Sequence, residues 1–179
     1  DQLPADIEHD RGLAIVRHVQ NPHRLAPLET KIGGSKPSGG RILNRDGAGG
    51  HFEKVFFTNA GAEAVENAVR LAKGYTGRMK VLSAYRSYHG GTALTVGLTG
   101  EPRRLENEPS VPGLVKFWGP YPYRSAFYSE SPEQETERAL AYLRETILVE
   151  GPNKIAAIVL EAVVGTNGIL VPPPGYLEG

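Results

Sequence analysis

The groups best suited to chemistry lie in three short stretches, and the first is the small-residue turn at residues 58–62. Its sequence, TNAGA, follows the apolar run KVFF at 54–57 and precedes a stretch with helical periodicity. A strand, a tight turn and a helix in this order leave unpaired backbone N–H groups directed at one point. These groups could bind a phosphate, although a capped surface helix that packs tightly on a strand is the alternative.

The stretch after the turn is predicted to be an amphipathic helix. Its apolar positions recur at three- and four-residue spacing and are Ala64, Val65, Ala68, Val69 and Ala72. Thr58 or Asn59 is the expected N-cap, and Gly74 or Gly77 is the expected end of the helix.

The second stretch is the loop YRSYHGGT at residues 85–92, which follows a strand-like run at 80–84. In a strand-helix alternation, loops at the carboxyl ends of strands share one crevice. Tyr88 or His89 could lie against a flat ring, because an aromatic side chain offers a face and glycine lets the backbone come close. A purely structural turn with a solvated histidine is the alternative.

The third stretch is the run KIAAIVLEAVVG at residues 154–165, which is apolar almost throughout. Such a run predicts a strand buried on both faces, with Glu161 near its carboxyl end. A buried carboxylate needs a partner. That partner could be a structural arginine or a ligand, and the residues leave both possibilities open.

The rest of the chain continues an alternation of strands and helices. Residues 114–118 are predicted as a strand, and the capping box SPEQ at 131–134 begins a helix that ends at Gly151. The expected buried stripe of this helix is Ala139, Leu140, Leu143, Ile147 and Leu148. The loop GPYPYR at 119–124 could face a substrate, but its prolines favour a surface turn.

Composition excludes several classes of protein. The 179 residues carry 20 basic and 20 acidic side chains, so there is no electrostatic case for binding nucleic acid or an anionic membrane. The longest apolar run is too short to span a bilayer, and the amino terminus lacks a signal pattern. Histidine spacing predicts no metal site. With no cysteine, disulfides are excluded, and a cytoplasmic enzyme is the default expectation.

Taken together, the three stretches resemble the class III pyridoxal-phosphate aminotransferases, the ω-aminotransferase branch of fold type I. The resemblance rests on TNAGAEAVENAVRLA, GRMKVLSAYRSYHGGT and IAAIVLEAVVGTNGILVPPPGYLEG, in that order along the chain. It implies an α/β fold, a fragment of the large domain of fold type I with a mainly parallel sheet flanked by helices. Residues 1–47 would be an amino-terminal segment with a hairpin, and residues 48–179 part of the cofactor-binding large domain.

The resemblance implies that the turn Ala60, Gly61 and Ala62 binds the phosphate of pyridoxal 5′-phosphate through backbone N–H groups. Many relatives carry a serine where Ala60 stands, so one hydroxyl contact is missing here.

The same resemblance implies that Tyr88 stacks on the pyridine ring and that His89 lies beside it. Glu161 corresponds to the carboxylate of the family's Glu-Pro motif near the cofactor, with Ala162 in place of the proline.

The family's chemistry also needs an Asp at the pyridine nitrogen and a Schiff-base Lys, and both are expected beyond this chain. None of its candidate lysines follows a strand in the matching position: Lys54, Lys73, Lys80, Lys116 and Lys154. No catalytic residue is therefore predicted, and the 179 residues alone are expected to be inactive. The resemblance also indicates that a long segment is missing near residue 47.

The implied function of the complete form is transfer of an amino group from an amino donor to a 2-oxo acid, by a homodimer. An aminomutase, racemase or decarboxylase with the same cofactor is one alternative. A truncated remnant without catalysis is the other.

Overall fold

The structure is a computed structural model that describes residues 14–18 and 57–179. The chain divides into two compact units, residues 1–20 with 60–179, and residues 21–59. The strands and α-helices of the described residues lie in the first unit and are β1 (Ala14–His18), α1 (Gly61–Thr76), β2 (Lys80–Ala84), α2 (Ala93–Leu98), β3 (Leu114–Phe117), α3 (Pro132–Glu150) and β4 (Ile155–Glu161). Of the predicted strand at 54–57, residues 54–56 lie outside the described residues, and Phe57 is not part of a strand. The predicted boundary and hairpin near residue 47 also lie outside the described residues.

The strands form one parallel sheet in the order β1-β4-β2-β3. Strand β4 lies between two neighbours, which explains why its sequence is apolar: residues 155–159 are at most 6% exposed. Because all the strands run the same way, their carboxyl ends meet at one edge of the sheet. The prediction of an α/β fold with a parallel sheet is confirmed.

Each face of the sheet is covered by helices, because side chains alternate along a strand. On one face, Val81 of β2 packs with Val65 and Val69 of α1. On the other face, the next residue, Leu82, belongs to a cluster against which Leu143 and Ile147 of α3 pack. The sheet is therefore the middle layer of three.

Helix α1 begins later than predicted. Its N-cap is Ala60, not Thr58 or Asn59, and no side chain caps it. The predicted end is confirmed at Gly77, which adopts a left-handed φ of 69° and donates its N–H to the Lys73 carbonyl at 2.9 Å. Ala64 is exposed, because the face that meets the sheet is narrower than the apolar stripe in the sequence.

Helix α3 begins and ends where predicted. The Ser131 hydroxyl accepts a hydrogen bond from the Gln134 N–H at 3.2 Å, and the Gln134 side chain accepts one from the Glu130 N–H at 2.8 Å. The prediction that Leu148 is buried is wrong, because it is 45% exposed. The row of positions that faces the sheet advances in four-residue steps and includes Leu143 and Ile147. Leu148 comes one residue after Ile147 and therefore lies about 100° round the helix from this row.

Glu135 attaches α3 to the aromatic loop that follows β3. Its side chain is fully buried and accepts hydrogen bonds from the Tyr121 N–H at 2.6 Å and from the Ser125 and Ser129 hydroxyls. Burial by itself raises the pKa of Glu135, but these hydrogen bonds and the nearby charge of Arg86 together hold the pKa below its ordinary value.

This network makes part of the stability depend on pH. The folded pKa of Glu135 is lower than the unfolded one, so its contribution is complete above the unfolded pKa, 4.5, and is lost as pH falls through the folded value. Glu135→Gln is expected to lower the free energy of unfolding at pH 7 by about 1–3 kcal/mol and to flatten its decline below pH 4.5.

Urea unfolding at a series of pH values measures both effects. Glu137→Gln, on the exposed side of the same helix, is the control and should match the wild type within about 0.5 kcal/mol. An equally steep acid decline in Glu135→Gln and wild type would contradict the prediction.

Candidate functional site

The structure brings the three predicted stretches together at the carboxyl edge of the sheet. Glu161 is the last residue of β4, and its Oε1 accepts a hydrogen bond from the Tyr88 N–H at 2.7 Å. Two residues after Tyr88, the loop touches the start of α1: a Cβ built on Gly90 would lie 2.7 Å from the Ala62 Cβ. The turn, the loop and the strand end are therefore neighbours.

The start of α1 has the geometry of an anion site. The first hydrogen bond of the helix runs from the Ala64 N–H to the Ala60 carbonyl at 3.1 Å, so the N–H groups of Gly61 and Ala62 precede the helical ladder. The 16-residue helix also places the positive end of its dipole there. This end is exposed to solvent. A phosphate group fits both features.

Close approach of the loop to this helix requires glycine at position 90. Its φ is +131°, a region that residues with a side chain rarely adopt. A Cβ there would meet Thr95 Oγ1 as well as Ala62, each at 2.7 Å. Gly91, by contrast, has nothing within 4 Å of the corresponding position. The first glycine of the pair is therefore the one that the packing demands.

His89 is part of the protein interior and not a solvated loop residue. It is 2% exposed, and its backbone N–H donates to the Thr99 hydroxyl at 3.1 Å. That hydroxyl donates in turn to the Thr95 carbonyl at 3.0 Å, so the histidine is tied to α2. The expectation of a solvated histidine in this turn is therefore wrong.

Tyr88 is half-buried, and a cation lies over its ring. The Arg103 guanidinium carbon is 4.1 Å from the ring centroid, and the Glu101 carboxylate holds the same guanidinium in an ion pair. Arg103 lies in the short 3-10 helix Pro102–Asn107 and carried no signal in the sequence, since its contact with Tyr88 spans fifteen positions of chain.

Glu161 is 7% exposed and uses both oxygens on backbone groups. Oε1 accepts from the Tyr88 N–H, and Oε2 accepts from the Gly165 N–H at 2.9 Å. Within residues 57–179 no basic side chain forms an ion pair with it, so the structural-arginine alternative fails for this part of the chain. The carboxylate instead joins the loop after β2 to the loop after β4.

A cleft opens beside Glu161, and its other polar lining residues are Tyr85, Arg86, Ser87 and Tyr176. The guanidinium carbon of Arg86 lies over two rings, 4.8 Å from the Trp118 centroid and 4.6 Å from the Tyr121 centroid. Sequence reasoning did not single out Arg86. The available signal was the aromatic loop after β3, which a parallel sheet must place at the same edge as the residues after β2.

The loop that carries Tyr88 is closed at its base by backbone hydrogen bonds. The Arg86 N–H donates to the Gly100 carbonyl at 3.1 Å, and the Gly100 N–H donates to the Ser87 carbonyl at 2.8 Å. A Cβ on Gly100 would collide with the Ala84 carbonyl oxygen, so the residue that closes the loop must also be glycine.

Two lysine side chains in the described residues, Lys116 and Lys80, make structural contacts. Lys116, in β3, donates to the Ser83 hydroxyl at 2.8 Å and to the Gly97 carbonyl at 2.5 Å. Burial, with the nearby charge of Arg104, lowers its pKa to about 8. Lys80 begins β2, at the edge of the sheet opposite the site, and pairs with Glu150 at 2.6 Å.

The described residues lack two kinds of feature. No helix in that part of the chain is both long and apolar enough to cross a membrane. No group of three or more acidic or histidine side chains there could hold a metal ion.

The chain is similar to proteins of known activity. The model of the family "Aminotransferase class-III" matches residues 18–179. A 4-aminobutyrate aminotransferase of Mycobacterium tuberculosis is 36% identical over 140 residues, which are 75% of this chain and 31% of the relative. A probable gamma-aminobutyrate transaminase 2, mitochondrial, of Oryza sativa is 33% identical over 132 residues, 70% of this chain and 27% of the relative.

Solved structures show the same likeness. The taurine:2-oxoglutarate aminotransferase of Bifidobacterium kashiwanohense, in complex with PLP and glutamate, is 37% identical with a TM-score of 0.75, over 83% of this chain and 34% of that chain. The omega transaminase of Pseudomonas jessenii, in complex with PMP, is 32% identical with a TM-score of 0.72, over 83% of this chain and 35% of that chain.

The chain thus spans about a third of the length of the relatives that it matches, for example 31% and 34%. The match nevertheless covers most of the 179 residues, the fold agrees, and the three motif stretches meet at one edge of the sheet. The chain belongs to the class III aminotransferase family, whose cofactor is pyridoxal 5′-phosphate.

Proposed function

We propose that the protein, in its complete form, is an aminotransferase that moves an amino group from an amino donor to a 2-oxo acid with pyridoxal 5′-phosphate as cofactor. The observation that carries the proposal is the meeting of the turn at 60–62, the Tyr88 loop and Glu161 at the carboxyl edge of the sheet. Relatives named for 4-aminobutyrate and for taurine with 2-oxoglutarate support it.

The start of α1 fits the phosphate of the cofactor. In the proposal, the N–H groups of Gly61 and Ala62 bind phosphate oxygens, and the helix dipole adds to the attraction. Ala60 supplies no side-chain hydroxyl. The backbone of Gly90 lies against this turn because it lacks a Cβ, which brings the ring-binding loop within reach of the same cofactor.

Tyr88 and His89 fit the ring of the cofactor. Tyr88 supplies an aromatic surface for stacking. The Arg103 guanidinium contacts its ring, and the Glu161 carboxylate accepts a hydrogen bond from its backbone N–H, so both the side chain and the backbone of Tyr88 are held in position. His89 is immobilised by α2 and lies next to Tyr88 in the chain. Such a rigid site loses little conformational entropy when a flat ligand binds.

The bound cofactor would supply an electron sink for the carbanion chemistry of amino transfer. The share of this chain is to bind and orient: a phosphate at the turn, a ring at Tyr88, and a carboxylate, Glu161, that keeps the loop in place. We assign no proton-transfer role to any residue of the chain, and no observation favours an aminomutase, racemase or decarboxylase.

A cytoplasmic location and a homodimer with its active site at the subunit interface are further parts of the proposal. Cell fractionation tests the first, and size-exclusion chromatography with light scattering tests the second.

Cofactor binding is the first test of the proposal. Titration of the purified protein with pyridoxal 5′-phosphate, followed by its absorption and by quenching of intrinsic fluorescence, should give saturable binding. Tyr88→Ala is expected to weaken binding by about 2- to 10-fold because stacking is lost, and Tyr88→Phe by less than about 2-fold. Equal affinities for the alanine and phenylalanine variants would contradict the role of Tyr88.

The glycine pair gives a second, independent test. Gly90→Ala should push the loop away from Ala62, and strain of this kind costs roughly 1–3 kcal/mol in stability. Affinity for pyridoxal 5′-phosphate should fall as well. Gly91→Ala is the matched control and should change stability by no more than about 0.5 kcal/mol, because its Cβ enters open space. If the two variants behave alike, the close contact between loop and turn is not needed.

Amino transfer itself is tested on a form of the protein that also carries the Schiff-base Lys, since the 179 residues alone are expected to be inactive. The assay follows glutamate formed from 2-oxoglutarate, with 4-aminobutyrate and with taurine as donors. Formation of glutamate at the expense of either donor is the expected result. Release of carbon dioxide or racemisation of an amino acid, without glutamate, would identify one of the alternative activities instead.

A further inference from the structure

The loop that carries Tyr88 runs along one face of helix α1 and contacts that helix at two positions. Gly90 lies against the turn, where an added Cβ would be 2.7 Å from the Ala62 Cβ. Two residues further on, the Thr92 hydroxyl donates a hydrogen bond to the Glu66 Oε1 at 2.5 Å. Ala62 and Glu66 are four residues apart, so they lie one above the other on the same face of the helix. The loop is thus fixed to α1 at its first turn and again one turn later.

Glu66 also holds the helix that follows the loop. The same oxygen, Oε1, accepts a hydrogen bond from the Leu94 N–H at 3.3 Å. Leu94 is the second residue of α2, so its N–H is one of those that find no acceptor within their own helix. Helix α2 has only six residues, and a helix of this length is not stable by itself in water. One carboxylate of α1 therefore fixes both the end of the loop and the start of α2.

Apolar packing between the two helices does not set their relative position so closely. Leu98 of α2 belongs to the same buried cluster as Val69 of α1, but apolar contacts are not directional. An open groove of about 520 Å³ lies between the outer parts of the helices, and Glu66 and Leu94 line it. The hydrogen bonds from Thr92 and Leu94 to Glu66 are directional, so they fix how far along α1 the loop lies.

The separation of the turn and the ring-binding loop matters because one cofactor molecule has to reach both. In the proposed function, the N–H groups of Gly61 and Ala62 bind the phosphate, and Tyr88 stacks on the ring. A short link joins these two parts of the cofactor, so the second contact forms at high effective concentration only where the two sites have the matching separation. A shift of the loop along α1 would leave each site intact but would lose this advantage.

We propose that Glu66 is a positioning residue of the cofactor site, which holds the Tyr88 loop at the distance from the phosphate turn that pyridoxal 5′-phosphate requires. This inference rests on the proposed aminotransferase function and assigns to Glu66 an effect on cofactor binding that acts through Thr92 and α2. Glu161 fixes the same loop at the Tyr88 N–H. The loop is therefore held between two carboxylates, one from the sheet and one from α1.

Pyridoxamine 5′-phosphate tests the inference, because it has the ring and the phosphate but no aldehyde that could react with a lysine. Its affinity for the complete form of the protein, freed of cofactor, is measured by calorimetry. Pyridoxamine and inorganic phosphate, which carry one binding group each, are measured as competitors. Glu66→Ala should weaken binding of pyridoxamine 5′-phosphate by about 5-fold or more, because the two sites lose their fixed separation. The affinities of this variant for pyridoxamine and for phosphate should each change by less than about 2-fold.

Asn67→Ala is the matched control. Asn67 is the next residue of α1, and its side-chain hydrogen bonds stay within that helix, to the Glu63 carbonyl at 2.8 Å and from Arg70 at 2.7 Å. Its affinity for all three ligands should stay within about 2-fold of wild type. Glu66→Gln keeps an oxygen that can accept from Thr92 and Leu94, so it should recover most of the affinity that Glu66→Ala loses.

Thr92→Val removes the other partner of the same hydrogen bond and keeps the size of the side chain. It should also weaken binding of pyridoxamine 5′-phosphate. The double variant, Glu66→Ala with Thr92→Val, should lose less affinity than the product of the two single losses, because both changes remove one shared bond. Thr92→Val keeps the test decisive if Glu66→Ala does not fold.

The inference is overturned if Glu66→Ala, or Thr92→Val in its place, binds pyridoxamine 5′-phosphate as tightly as Asn67→Ala does. It is also overturned if Glu66→Ala weakens binding of all three ligands by the same factor, since general damage to the structure would have that effect. Absence of saturable binding of pyridoxamine 5′-phosphate to wild type would instead contradict the proposed function, and the inference with it.

Discussion

The hydrogen bonds of one carboxylate are the constraint on which the site depends. Glu161 ends β4, which is buried along almost its whole length, and each of its carboxylate oxygens accepts a hydrogen bond from a backbone N–H, one from Tyr88 and one from Gly165. A buried charge is tolerated only when it is satisfied in this way. The loops after β2 and after β4 therefore take their positions from the side chain at the end of β4, and the start of α1 completes the site through contact with Gly90.

The parallel sheet makes this arrangement possible. Strand β4 is apolar on both faces because helices cover both, and only its last residue is acidic. Glycine is required wherever two backbones approach closely, as at Gly90 beside Ala62 and Gly100 beside Ala84. The geometry at this edge of the sheet thus depends on glycines, which allow close approach, as much as on side-chain hydrogen bonds.

Local patterns predicted the parts of the structure that neighbouring residues determine. The apolar run that became β4, the stripe of α1 and the capping box at Ser131 could all be recognised, since each depends on spacing within one segment. The N-cap of α1 was placed too early because the turn, and not a side-chain cap, sets its start at Ala60. Contacts between distant segments, such as Arg103 on Tyr88 and Arg86 on Trp118 and Tyr121, leave no periodic signal in the sequence.

The two hydrogen bonds between residues 86–87 and Gly100 close the loop that carries Tyr88, His89 and α2 into a ring of backbone. Within that ring, the His89 backbone N–H donates to the Thr99 hydroxyl, and that hydroxyl donates to the Thr95 carbonyl. A segment tied at its base and across its interior has few ways to open locally, so its amides should be protected from hydrogen exchange as one cooperative unit. The Tyr88 ring and helix α2 would then become accessible to solvent, or stay protected from it, as one unit.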